Sequence, residues 1–233
     1  MTISIHQPNF LPWIGYFHKL ANSDVFVLFD DVQFPRGKSF GYRTKIKTQQ
    51  GEQWLSVPVT GRSNMKPYTD TLLDNEENWK PKLLKTVQFA YRSAAFFDTC
   101  FELLNNAISL NHTHIYELNA ELIGSIVRYL DLKTELARSS EICQGHESLQ
   151  GEEKILFILQ RLNADKYISG EGEGSKRYLN EENFKEKNIE LVWQAFTPFE
   201  YPQLHGPFIP NLSIFDLICN CEPEEAKVLL ANG

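Results

Sequence analysis

Near the N-terminus the spacing of apolar residues changes twice. Ile3-Ser4-Ile5 alternates as a strand does, residues 15–21 carry apolar side chains at helical spacing, and Val25-Phe26-Val27-Leu28-Phe29 is a continuous apolar run of strand length. The pattern predicts a β-loop-α-β unit. Its loop, His6-Gln7-Pro8-Asn9-Phe10-Leu11-Pro12-Trp13, holds two prolines that fix φ and bar it from a sheet interior. An ordered, non-repetitive loop is therefore expected, with His6 and Gln7 at the carboxyl end of the first strand. In parallel α/β units that is where ligands collect.

Further along, 42–48 and 53–59 flank a turn at 49–52 and predict a hairpin. Helices are predicted at 79–91 and 94–110, and Ile115, Leu118, Leu122, Ile123, Ile126, Val127 and Leu130 form an apolar stripe at helical spacing. From residue 134 the alternation resumes, with strands near 134–138, 166–169 and 189–193 and helices at 152–162 and 180–186. Ser213 is a predicted N-cap for a helix through Cys219, and Pro223 starts the last helix. Short links between alternating elements predict an α/β fold: a mostly parallel sheet of Rossmann-like layout with a β-hairpin. The expected organisation is a single domain over 1–233 with a mostly helical insertion at 75–130.

With 233 residues, 42% hydrophobic and 23% charged, the chain has the composition of a globular enzyme. A net charge of −7 argues against a protein that coats nucleic acid. No apolar run reaches the roughly 18–20 residues of a membrane span, and MTISIHQP lacks the basic and apolar regions of a secretory signal, so a cytoplasmic protein is expected. Cys100, Cys143, Cys219 and Cys221 are scattered and read as buried reduced thiols. His112-Thr113-His114 lacks a third metal ligand nearby and reads as a surface loop.

Strand polarity gathers the candidate chemistry. If the strands are parallel, His6, Asp30-Asp31, Ser139-Ser140 and Ser169-Gly170 all follow strands at one edge of the sheet. His6 is the candidate base, or else a residue that fixes the proline loop. Asp31 joins it as a catalytic candidate. Asp30 and Gln33 stand beside it as binding candidates, and a bare turn-capping role is the alternative for the aspartates. Arg43, Lys45 and Lys47 alternate along one strand, so they either clamp an anionic group or form a solvated face; Arg36 and Lys38 would widen that patch. The stretch 169–178 reads as a glycine-spaced turn with Lys176, Arg177 and Tyr178 behind it, either an anion nest or a closing loop. It matches neither the Walker A loop nor the dinucleotide fingerprint.

HQPNFLPWIGYFHKL near the N-terminus resembles the opening of the WbqC-like protein family, which occurs in bacterial O-antigen and other surface-polysaccharide gene clusters. GYRTKIKTQQGEQWLSVPV at 41–59, DKYISGEGEGSKRYL at 165–179 and YPQLHGPFIPNLSIFDLICN at 201–220 fit the same pattern. The resemblance implies a modification or transfer step in making a surface glycan. Tyr16, Tyr201 and Gln203 lie in these segments and suit recognition of sugar hydroxyls. The opening is also similar in layout to nucleotidyltransferases with an HxGH motif. That motif would fall on Trp13-Ile14-Gly15-Tyr16, where both histidines are missing. The expected function is a transferase acting on an anionic nucleotide- or lipid-linked sugar, with acyl or aminoacyl transfer as one form. The alternative is a noncatalytic glycan- or nucleotide-binding protein of the same pathway. No motif for coenzyme A, pyridoxal phosphate or flavin is specific, so the cofactor is unknown; no nucleic-acid partner and no oligomeric state are assigned.

Overall fold

The computed structural model describes residues 1–35, 37–60, 66–76 and 78–233. In chain order its elements are β1 (Thr2–His6), α1 (Ile14–Ala21), β2 (Val25–Leu28), the hairpin strands β3 (Arg43–Thr48) and β4 (Gly51–Ser56), and a 3₁₀ turn at Tyr68–Asp70. Then come α2 (Trp79–Tyr91), α3 (Phe97–Ser109), α4 (Ile115–Tyr129), β5 (Glu135–Arg138), α5 (Ser139–Ile142) and α6 (Gly151–Arg161). The chain closes with β6 (Lys166–Ser169), α7 (Glu173–Tyr178), α8 (Glu181–Glu186), β7 (Glu190–Trp193), α9 (Ile214–Asn220) and α10 (Pro223–Asn232).

Five strands form one sheet in the order β5-β2-β1-β6-β7, and every pairing is parallel. The hairpin is a separate antiparallel pair. The α/β class and the parallel sheet expected from the apolar pattern are therefore present. Strand faces divide by period two. Val25, Val27, Ile3 and Ile5 pack with Ile158 and Leu159 of α6, whereas Phe26 and Leu28 join a larger core with α1, the hairpin, α2–α4 and α9. Among the described residues no helix is long and apolar enough to cross a membrane.

Three local departures have visible causes. α3 starts at Phe97 and not at Ala94, because residues before it turn: the Ala94 amide donates to Tyr91 O and the Phe96 amide to Cys219 O. Residues 139–142 form a helical turn, α5, whose Ser140 amide donates to the Asp30 carboxylate at 2.9 Å. The stretch read as a glycine turn becomes α7 from residue 173, with the Lys176 amide on Gly172 O at 3.2 Å.

The loop between β1 and α1 is buried, so its backbone groups need partners from elsewhere. The Phe10 amide donates to Phe40 O at 2.9 Å, and the Ile14 amide to Leu212 O at 3.2 Å. Pro12 O accepts from the Ile214 amide at 2.7 Å. Leu11, at a φ of 38°, is in the left-handed region that a branched side chain disfavours. Its carbonyl is held from two sides, by the Thr44 and Ser213 hydroxyls, each at 2.9 Å. Asn119 of α4, fully buried, donates to Pro8 O at 2.7 Å and Gly41 O at 2.8 Å.

Asn119→Ala would leave both carbonyls without that donor. At roughly 1–3 kcal/mol for a buried group left unsatisfied, the expected loss is about 2–4 kcal/mol in urea denaturation. A loss under about 0.5 kcal/mol would show that water replaces the amide at no cost.

Candidate functional site

β1 and β6 are sheet neighbours, yet the chain leaves them toward opposite faces: α1 follows β1 on the side of the larger core, and α8, which follows β6, packs on the other through Phe184. At such a switch point the loops part and a crevice opens beyond the strand ends. Here a cavity of about 560 Å³ occupies it. His6 and Gln7 enter from β1, Tyr16 and Lys19 from α1, Glu152 and Ile155 from α6, Tyr167 and residues 169–172 from β6 and the loop behind it, and Gln194 and Phe196 from beyond β7. Trp13 closes one side with its ring folded over Gly15. A Cβ at Gly15 would meet that ring at 2.2 Å, so only glycine lets the indole lie there, edge-on to Phe196 at 5.4 Å.

The His6 Nδ1 is 3.1 Å from Gln7 O, a carbonyl that can only accept, so Nδ1 carries the proton and Nε2 is left as an acceptor. The ring stands edge-on to Tyr16 with centroids 4.8 Å apart. Burial, helped by the neighbouring Lys19 charge, lowers the His6 pKa to about 3, so the imidazole is neutral at physiological pH. Lys19 is 2% exposed, and burial draws its pKa down to about 7. Burial also raises the phenols of Tyr16 and Tyr167, the latter to about 12, so both are neutral donors. Cβ atoms at Gly170 and Gly172 would meet open space, and these glycines leave the mouth clear.

Of the residues singled out in the sequence, the cavity brings together His6, Gln7, Tyr16, Ser169, Gly170 and Tyr178. Asp30 and Asp31 lie one strand away. Asp30 is bound by Arg138 Nε at 2.7 Å and by both Ser139 and Ser140, while Asp31 pairs with Lys154 at 2.6 Å and accepts from Ser139 at 2.5 Å. Gln33 is exposed and bridges to Pro67. The basic strand does not reach the cavity. The Arg43 guanidinium lies 3.8 Å over the Trp54 ring and Lys45 pairs with Glu52 at 2.7 Å, whereas Lys47 turns inward to Gln203 and Pro207. Arg36, expected to widen that patch, lies outside the described residues. Lys176 pairs with exposed Glu171 at 3.3 Å and, with Arg177, sits on α7 away from the lining. Tyr201 donates to buried Asp216 at 2.7 Å, which also accepts from Tyr91 at 2.8 Å, and Gln203 accepts from Lys47 and the Ile209 amide. Both belong to the packing of the C-terminal segment.

Sequence reasoning passed over Lys19, Gln194 and the start of α6. Lys19 did carry a signal: with Tyr16 and Leu20 it occupies i, i+3 and i+4 spacing, a charged residue inside the apolar stripe of α1. Among the described residues no group of three or more His, Cys, Asp or Glu side chains could hold a metal. His112 and His114 instead contact Ala107 O at 3.1 Å and Glu117 at 3.4 Å. All four cysteines are buried and free.

A histidine with a lowered pKa makes stability depend on acid in one direction. Between the folded value near 3 and the ordinary 6.5, the unfolded chain binds the proton and the folded chain does not, so stability falls as pH drops through this window. His6→Gln should flatten that fall. Urea denaturation at pH 7 and pH 4.5 should show a smaller acid loss in the variant than in the wild type, and equal losses would mean that His6 titrates normally.

Residues 7–228 match the model of the WbqC-like protein family. The uncharacterised protein Rv1507c of Mycobacterium tuberculosis is 34% identical over 232 residues, covering 97% of this chain and 96% of the relative. No solved structure matches the chain. The family match over nearly the whole chain and the 34% identity over matched length place it plainly: the chain belongs to the WbqC-like protein family.

Proposed function

We propose that the protein is a cytoplasmic transferase of bacterial surface-polysaccharide synthesis, and that it holds a nucleotide- or lipid-linked sugar in the cavity between β1 and β6. One observation carries this reading: the switch-point cavity brings aromatic side chains and hydrogen-bonding groups together with a desolvated amine and imidazole. Trp13, Tyr167 and Phe196 offer ring faces to the apolar face of a sugar, and Gln7 and Ser169 offer partners to its hydroxyls. His6 Nε2 accepts a hydrogen bond from the attacking hydroxyl or amino group and orients it, with no charge of its own before the substrate arrives. Asp31 is a positioning residue. Through Lys154 it holds α6, whose first turns wall the cavity. The transferred group is an acyl or aminoacyl unit.

Complementation of a strain lacking the gene, scored by its surface glycan, tests this. Gly170→Leu adds bulk where a Cβ meets open space, so it should fill the cavity, abolish glycan production and leave Tm within about 2 °C. His6→Leu, which removes the acceptor nitrogen, should also fail to complement, whereas His6→Gln, whose amide oxygen can accept the same hydrogen bond, should retain part of the function. Full complementation by Gly170→Leu would sink the cavity as the working site.

A further inference from the structure

Among the described residues three lysines are buried: Lys19 at 2%, Lys47 at 1% and Lys154 at 3% exposure. A buried ammonium needs an anion or several good acceptors to offset its lost hydration. Two of the three have them. Lys154 faces the Asp31 carboxylate at 2.6 Å, and Lys47 donates to Gln203 at 3.0 Å, Pro207 O at 2.6 Å and Gly206 O at 3.3 Å. Lys19 has no ion pair among the described residues. Its one hydrogen bond is a long one, 3.4 Å to Ile5 O, and the nearest aromatic contact is Phe26, with its ring centroid 5.9 Å away. The uncompensated lysine is also the one of the three that lines the cavity.

We propose that Lys19 is a nucleophilic amine that captures an aldehyde or ketone carbonyl of a sugar-bearing substrate as an imine inside the cavity, which deepens the transferase reading and rests on it. The Nζ lone pair forms a bond to the carbonyl carbon while the carbonyl π pair moves to oxygen, which takes the proton shed by nitrogen. The carbinolamine then loses its hydroxyl, with the second proton of the nitrogen, as water, and a neutral imine remains. No oxidant or further reactant is consumed. The apolar walls, Ile5, Phe29 and Ile155, keep bulk water from the adduct, and the open mouth beside Gly170 and Gly172 lets the released water leave.

The titratable groups that share the cavity lining with Lys19 make no ion pair with it among the described residues. His6 is neutral, Tyr16 and Tyr167 keep their protons, Glu152 is engaged by the Asn180 amide and by Asn183, and Glu171 pairs with Lys176. With its pKa drawn to about 7 by burial, Lys19 is free amine in about half the molecules at neutral pH. An ordinary solvated lysine is free in fewer than about one in a thousand at that pH.

The full-length protein is incubated with D-glyceraldehyde, a hydroxyaldehyde probe, and sodium cyanoborohydride, and the trapped positions are mapped by peptide mass spectrometry. Lys19 should be modified roughly tenfold or more faster than the exposed lysines at pH 7, and roughly fifteenfold more slowly at pH 5.5 than at pH 7. An unmodified Lys19, or one that reacts no faster than the surface lysines, overturns the proposal. So does a Lys19 rate that does not change between the two pH values. Complementation separates this failure from that of the reading beneath it: if Lys19→Met, with a retained Tm, restores the glycan while Gly170→Leu does not, the transferase site stands and the imine falls. If Gly170→Leu also restores it, the transferase reading itself has failed.

Discussion

The fold depends on satisfying one buried stretch of irregular backbone. Residues 7–13 run through the interior without belonging to a helix or a strand, so each amide and carbonyl there would cost on the order of 1–3 kcal/mol if left bare. The partners come from four remote places: Phe40 before the hairpin, Thr44 within it, Asn119 on α4, and residues 212–214 at the start of α9. Ser213 serves twice, donating its hydroxyl to Leu11 O and accepting from the Phe215 amide as the helix cap. The hairpin, the helices and the C-terminal segment are thereby tied to the loop that shapes one wall of the cavity. The strained Leu11 persists because two donors from different elements fix its carbonyl, which is how a rigid site tolerates an unfavourable φ.

That arrangement explains what could be read from the chain and what could not. Apolar period alone places β1, α1, β2, the hairpin and α4, because each has a clean spacing and a length typical of its class. Strand polarity then puts His6 and Ser169 at the same sheet edge, and the structure has them in one cavity. Polarity cannot tell which gap along that edge is open. This needs the strand order, and the order β5-β2-β1-β6-β7 sets the end of β2, with Asp30 and Asp31, one strand from the switch point. Residues 170–172 are a loop as expected, but 173–178 are helical for a different reason. Three glycines argue against a helix at about 1 kcal/mol each, but the residues from 173 onward place Lys176 and Arg177 in a last turn where basic side chains are favoured, and Lys176 lies over the Trp193 ring. Lys19 escaped because a lone charge in an apolar stripe is usually assumed to reach solvent by its long stem.

The edge of the sheet holds two polar clusters that solve opposite problems. At the ends of β2 and β5, two carboxylates meet Arg138, Lys154, Ser139 and Ser140. Breaking such a buried pair by removing one partner costs about 3–5 kcal/mol, because the other charge is stranded. The effect of this cluster is to tie α5 and α6 to the strands. At the ends of β1 and β6 the polar groups are instead left with spare capacity: an imidazole with a free acceptor nitrogen, phenols held neutral, and an amine without a counter-ion. Burying Lys19 lowers stability at neutral pH, since the unfolded chain keeps its proton more readily up to about 10.5, and this cost falls only as pH rises from about 7 toward that value. A fold that compensates Lys47 and Lys154 with such care could have compensated Lys19 too. That it does so everywhere except beside the cavity is the physical reason for the proposed placement of the chemistry: desolvated, unpaired groups stabilise nothing by themselves, and a ligand would give them partners.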